Sequence, residues 1–138
     1  DRVQRGSFYE SYIDDAPDGP FDGAACLLTL HFLERAARLR TLRALHSRLR
    51  RCAPFVVAHH SFAQNAPERD LWLQRNDNLL VSWGLEAAKA EKGIAAMKEH
   101  LPVLSPKEDE ALLIEAGFKD VQQFYAGFTF KGWVCYAA

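Results

Sequence analysis

The sequence predicts an α/β domain in which a parallel sheet closes with an antiparallel pair of strands. Three observations predict this fold: two short apolar runs, a helical period between them, and two aromatic, β-branched runs near the C-terminal end. Apolar strands that alternate with helices are typical of parallel sheets. The 138 residues suffice for one domain with a core and are too few for two.

The two apolar runs predict adjacent parallel strands. Residues 21–30 follow a turn rich in proline and glycine, and residues 55–62 follow Pro54, which breaks the preceding helix. Short apolar runs between turn signals are typical of strands buried on both faces. Between them, residues 34–51 have a helical period that places Leu42, Leu45 and Leu49 on one face.

A helical insert is expected after the second strand. Its helices should cover about residues 67–75 and 79–99. Ser105 and Glu108 then form a capping box that begins another helix, in which the serine accepts a hydrogen bond from a backbone N–H and the glutamate reaches back.

The C-terminal runs predict an antiparallel hairpin. Gly117 should end the helix before them. Residues 121–128 and 130–136 are aromatic and β-branched, and very few residues join them.

Composition excludes some classes of protein. The net charge of −1 gives no overall attraction to nucleic acid or anionic lipid. The longest apolar run is too short to span a bilayer, so we expect no membrane association. Three widely spaced cysteines without a Cys-x-x-Cys pair favour reduced thiols and a cytoplasmic location.

These motifs in this order resemble the second half of class I S-adenosylmethionine-dependent methyltransferases. The quoted stretches are FDGAACLLTLHFL, RLRRCAPFVVAHHS, EAGF and the aromatic hairpin, and the resemblance covers roughly residues 10–138. It is strongest to small methyltransferases of the type that includes the tRNA wobble-uridine carboxymethyl-forming enzyme. It implies the fourth to seventh strands of a Rossmann-like sheet, a methyltransferase activity, and S-adenosylmethionine as cofactor. Residues 67–100 would then be a lid over the acceptor pocket.

The half of such an enzyme that makes most contacts with the cofactor is not in the sequence. The eight glycines form no glycine-rich turn, and no acidic residue follows at the spacing that a ribose contact needs. The sequence also opens on Asp1 rather than methionine. We therefore expect an incomplete domain whose first strands are missing, and a fragment that is inactive by itself.

The resemblance implies contacts to the cofactor from two segments. Tyr12 stands where the family has an acidic residue against adenine, with Ile13 and Asp14 beside it, and Leu27 and Leu28 lie at the tip of the fourth strand. Tyrosine only approximates the carboxylate. Asp14 could equally be a solvated turn residue.

Three histidines are expected near the strand tips, where ligands of open α/β sheets bind. His31 could act as a base or be satisfied by a backbone carbonyl. His59 and His60 should face the same cleft and contact the acceptor. No carboxylate or thiolate follows at ligand spacing, so we expect no metal.

In the insert, Trp72, Arg75 and Trp83 are candidates for acceptor binding, although tryptophans are more often core residues. The tRNA-modifying relatives hold a carboxylated group with an arginine here, and Ile94 occupies that place. We expect a small-molecule acceptor instead.

Two other functions stay open. One is an interaction module whose exposed sheet edge pairs with another chain, with a homodimer through that edge as one possibility. The other is a nucleic-acid methyltransferase that binds through the helix at residues 34–51, although its arginines form no single stripe and favour a solvated face. These arginines are Arg35, Arg38, Arg40, Arg43, Arg48, Arg50 and Arg51.

Overall fold

A single four-stranded mixed sheet forms the centre of the fold. The structure is a computed structural model that describes residues 6–138. The sheet order is β1-β2-β4-β3, with β1 parallel to β2 and the other pairs antiparallel. The strands are β1 Ala24–Leu27, β2 Pro54–His60, β3 Phe118–Gly127 and β4 Phe130–Ala137. This arrangement confirms the predicted sheet, including its closing hairpin.

Four helices surround the sheet. Helices α1 and α4 cover one face, where Phe55 and Trp133 pack against Leu42 and Leu112 in the main core. Helices α2 and α3 form a hairpin over a smaller core centred on Phe62. Their bounds are α1 Arg35–Ser47, α2 Glu68–Ser82, α3 Ala87–His100 and α4 Pro106–Glu115. Short 3₁₀ turns span Ile13–Asp15 and Leu30–Phe32.

The capping signals of α4 are confirmed. The Ser105 hydroxyl accepts from the backbone N–H of Glu108, whose carboxylate accepts from the Ser105 N–H at 2.8 Å. Gly117 follows α4 with a φ of +108°, in the left-handed region that favours glycine.

Several predicted bounds were wrong. β1 is shorter than residues 21–30, and its side chains alternate between half-buried and exposed, since only Ala24 and Cys26 face the main core. The break between the two helices of the insert was predicted near residue 77. It comes instead after Ser82, and Gly84 in this break has a φ of +98°. Helix α1 ends at Ser47 instead of continuing to residue 51.

Candidate active site at the strand tips

The parallel pairing of β1 and β2 brings their carboxyl ends to one edge of the sheet. Beyond β1, the Leu28 N–H still donates to the Ala58 carbonyl at 2.7 Å. Leu28 has a φ of +58°, which is unusual for a residue with a bulky side chain. The chain reverses at this point and enters the 3₁₀ turn that carries His31.

His31 packs against the tip of β2. Its Nδ1 accepts a hydrogen bond from the backbone N–H of His60 at 3.4 Å, and the two rings meet edge to face with centroids 4.8 Å apart. Burial, followed by the nearby charges of His59 and Arg38, lowers the pKa of His31 to about 4. His31 is therefore a neutral imidazole at physiological pH.

His60 is held by a short polar chain that leads away from the strand tip. Its Nδ1 lies 2.9 Å from Thr129 Oγ1, and the Thr129 hydroxyl donates to Asn76 Oδ1 at 3.1 Å. The His60 ring also stacks on Phe130, with centroids 3.9 Å apart. Burial, followed by the charges of His31 and His59, lowers the pKa of His60 to about 4.

His59 points to the other face of the sheet, because adjacent residues of a strand point in opposite directions. It lies under α4, with Nε2 3.2 Å from Asp109 Oδ2 and its ring beside Trp133. Asp109 also pairs with Arg38, which is 0% exposed. Burial alone would raise the pKa of Asp109, but the close approach of the His59 ring and the charge of Arg38 hold it below its usual value.

A cavity of about 460 Å³ lies beside β1, within the size range of small-molecule sites. Residues 9–17 cover one side, α1 covers another, and Cys26 of β1 forms part of the floor. Tyr12 and Ile13, two of the residues predicted to contact the cofactor, line this cavity.

The other expected cofactor residues lie outside this cavity. Asp14 lines a smaller depression against α1, formed with Tyr12, Ile13 and Arg40. Leu27 and Leu28 flank the cavity without lining it, and both are more than half exposed.

Two of the candidates in the insert, Trp72 and Arg75, contact each other, whereas Trp83 lies at the far end of α2. The guanidinium of Arg75 and the ammonium of Lys131 each lie 4.9 Å from the Trp72 ring centroid. Trp72 also packs against the core of the insert. Trp83 follows the C-terminal end of α2 and is 75% exposed.

The sequence did not predict four residues of the site. Arg38 was expected to be solvated, and no pattern indicated that Asp109, Asn76 and Thr129 are buried. The expectation that His59 and His60 share a cleft was also wrong, since His59 is buried against the helices. The period of two along a strand was the signal that could have separated them.

The fold is that of the C-terminal part of a class I S-adenosylmethionine-dependent methyltransferase. Human N-acetylserotonin methyltransferase in complex with S-adenosylmethionine superposes with a TM-score of 0.64 at 14% identity, covering 99% of this chain and 36% of that one. PigF with S-adenosylhomocysteine gives a TM-score of 0.62 at 15% identity, covering 93% of this chain and 34% of that one. An O-methyltransferase family 2 protein from Planctomyces limnophilus in complex with apigenin gives a TM-score of 0.61 at 14% identity. The match covers 91% of this chain and 33% of that one.

The chain spans about a third of the length of these three structures. At such low identity the likeness establishes the fold alone. No protein-family model and no curated protein matches the sequence. The likeness to the tRNA-modifying enzyme finds no support among the structures compared. Among residues 6–138, no helix has both the length and the apolar character needed to cross a membrane.

Proposed function

We propose that this chain is the acceptor-side part of an S-adenosylmethionine-dependent methyltransferase that acts on a small molecule. The observation that carries the proposal is the shared edge of β1 and β2, where His31 and His60 meet. Ligands of open α/β sheets bind outside this edge. The cofactor's sulfonium activates the methyl group, so the protein has mainly to position the acceptor and exclude water.

The cavity beside β1 fits the adenine end of the cofactor. Its lining is largely apolar, and Tyr9 and Tyr12 offer aromatic surface against which a flat purine can pack. Ile13 contributes apolar contact, and Thr29 and Thr41 provide hydroxyls for the polar edge of the base.

Most contacts to the cofactor's ribose and methionine end are proposed to come from a glycine-rich part outside residues 6–138. Within residues 6–138 the second edge of β1 is unpaired, and Leu27 beside it is 57% exposed. An unpaired apolar edge is a template for another strand. We propose that the glycine-rich part pairs there. A second copy of this chain is the alternative occupant.

The location of the cofactor can be tested by following amide resonances of the 138-residue chain during titration with S-adenosylhomocysteine. We expect changes at Ile13, Cys26 and Thr29, and their loss in Ile13→Ser. Ile114→Ser is the matched control, because Ile114 is 62% exposed on α4, away from the cavity.

Resonance changes confined to other surfaces would contradict the proposed site. So would the absence of any change at several millimolar S-adenosylhomocysteine. Sedimentation of the same samples tests whether a second copy can pair with this edge. A dimer that Leu27→Lys dissociates would show that it can.

A further inference from the structure

A single side chain holds one wall of the cavity beside β1. Residues 9–17 form this wall, and within residues 6–138 all hydrogen bonds that join them to the rest of the chain come from Arg48. The Arg48 Nη2 donates to the backbone carbonyl of Asp14 at 3.3 Å and to that of Ala16 at 3.5 Å. The position of the wall therefore depends on this guanidinium.

The guanidinium joins the wall to the end of α1. Arg48 follows Ser47, the last residue of α1, and its Nη1 donates to the Ala44 carbonyl at 3.0 Å. The Arg48 side chain is 14% exposed, and its Nη2 lies 4.0 Å from the carboxylate of Asp18. The planar fork of an arginine presents several N–H donors at once, so it can bond two segments together. Away from bulk water such hydrogen bonds are stronger than exposed ones.

The chain that follows the wall is also attached to Arg48, through its backbone. The Phe21 N–H donates to the Arg48 carbonyl at 2.8 Å, and the Arg50 N–H donates to the Phe21 carbonyl at 3.0 Å. Gly19 has a φ of +84°, and a Cβ at this position would overlap the Arg48 carbonyl oxygen. Residues 19–21 thus have a fixed place beside the end of α1, and the guanidinium of the same arginine reaches the wall.

The two carbonyls bound by Arg48 belong to the part of the wall that faces the cavity. Ile13 and Ala16 line the cavity from this side, and Cys26 and Thr29 line it from the side of β1. Arg48 does not line the cavity, so it acts on the cavity through the wall. Its hydrogen bonds set the separation between the wall and β1, and with it the width of the cavity.

We propose that Arg48 is a positioning residue that fixes the width of this cavity for the flat base of a bound nucleoside. The nature of the ligand rests on the proposed function, whereas the hold of Arg48 on the wall does not. A ligand that enters a preformed cavity does not have to order the wall, so more of its contact energy contributes to affinity. Loss of the guanidinium should therefore loosen the wall and weaken binding, although the ligand itself loses no contact with Arg48.

The first test is ¹⁵N relaxation of the 138-residue chain without ligand, in the natural sequence and in Arg48→Met. Methionine is a long side chain without an N–H donor. We expect order parameters of about 0.85 for the amides of residues 13–16 in the natural chain and below about 0.6 in the variant. The amides of Phe55 and Cys135, which lie in the main core, should keep their values.

Arg50→Met is the matched control, and Arg48→Lys separates the fork from the charge. Arg50 pairs with Asp22 at 2.7 Å on the surface and makes no hydrogen bond to the wall among the described residues, so its loss should leave residues 13–16 ordered. Lysine at position 48 keeps the positive charge but lacks the fork. It should loosen the same amides, and it replaces Arg48→Met if that variant fails to fold.

The second test repeats the titration with S-adenosylhomocysteine in Arg48→Met. Cys26 and Thr29 lie outside the wall, so their amide resonances report the ligand rather than the loosened segment. At the same ligand concentration we expect their changes to be smaller by roughly threefold or more, because binding then has to order the wall as well. Equal changes in the two chains would contradict the positioning role.

Order parameters of residues 13–16 that are equal in the natural chain and in Arg48→Met would overturn the inference. Loosening confined to the last turn of α1 would also do so, because Arg48 would then only cap that helix. Equal loosening of Phe55 and Cys135 would show a general effect on the fold and overturn it as well. These measurements require no ligand, so they decide the inference even if S-adenosylhomocysteine fails to bind. That failure would remove the proposed cofactor site and leave the hold of Arg48 on the wall intact.

Discussion

Asp109→Ala is expected to lower the free energy of unfolding by about 3–5 kcal/mol, the usual cost of breaking a buried ion pair from one side. The change leaves the Arg38 guanidinium buried without its carboxylate, and it also removes the partner of His59 Nε2. Arg38 keeps a hydrogen bond to the Pro102 carbonyl at 2.9 Å, which does not neutralise its charge.

Urea unfolding measures this loss, and Glu115→Ala on the same helix provides the matched control. Glu115 pairs with Arg35 at 3.1 Å, but both side chains are exposed, so its removal should cost at most about 1 kcal/mol. Equal losses in the two variants would show that the Arg38–Asp109 pair is not buried as described.

Lowering the pH from 6.5 toward 4 is expected to lower the free energy of unfolding, because His31 and His60 must take up protons that the native state disfavours. Burial lowers the pKa of each ring from 6.5 to about 4 in the native state. Between these values the unfolded chain binds a proton that the native chain does not. Stability is therefore complete above pH 6.5 and falls as the pH falls through this window.

Urea unfolding at a series of pH values from 7 to 4 tests this dependence. His60→Asn should make the fall shallower within the window. Asp109 has a pKa below its usual value of 3.8, so its own contribution to stability begins to fall only at the lower end of this window. A free energy of unfolding that stays constant from pH 7 to 4 would contradict the burial of these rings.

The features set by local sequence were predictable. Two apolar runs around a helical period gave β1, α1 and β2, because a βαβ unit with short connections has little topological freedom. The capping box at Ser105 located the start of α4 because its hydrogen bonds lie within one turn. The aromatic runs predicted the β3–β4 hairpin because the two strands are adjacent in sequence.

Features that depend on contacts distant in sequence were not predictable. Arg38 and Asp109 are 71 residues apart, and nothing in either segment marks the pair as buried. β1 lies at an edge of the sheet, a position that its own residues do not determine. The Thr129–Asn76 contact exists because α2 reaches the β3–β4 turn.

Calorimetric titration of S-adenosylhomocysteine into the 138-residue chain most directly tests the claim that most contacts to the cofactor lie outside these residues. We predict a dissociation constant of about 1 mM or weaker, which corresponds to roughly 4 kcal/mol of binding free energy or less. Stoichiometric binding with a dissociation constant of about 1 µM would contradict the claim, because the contacts beside β1 would then be sufficient by themselves.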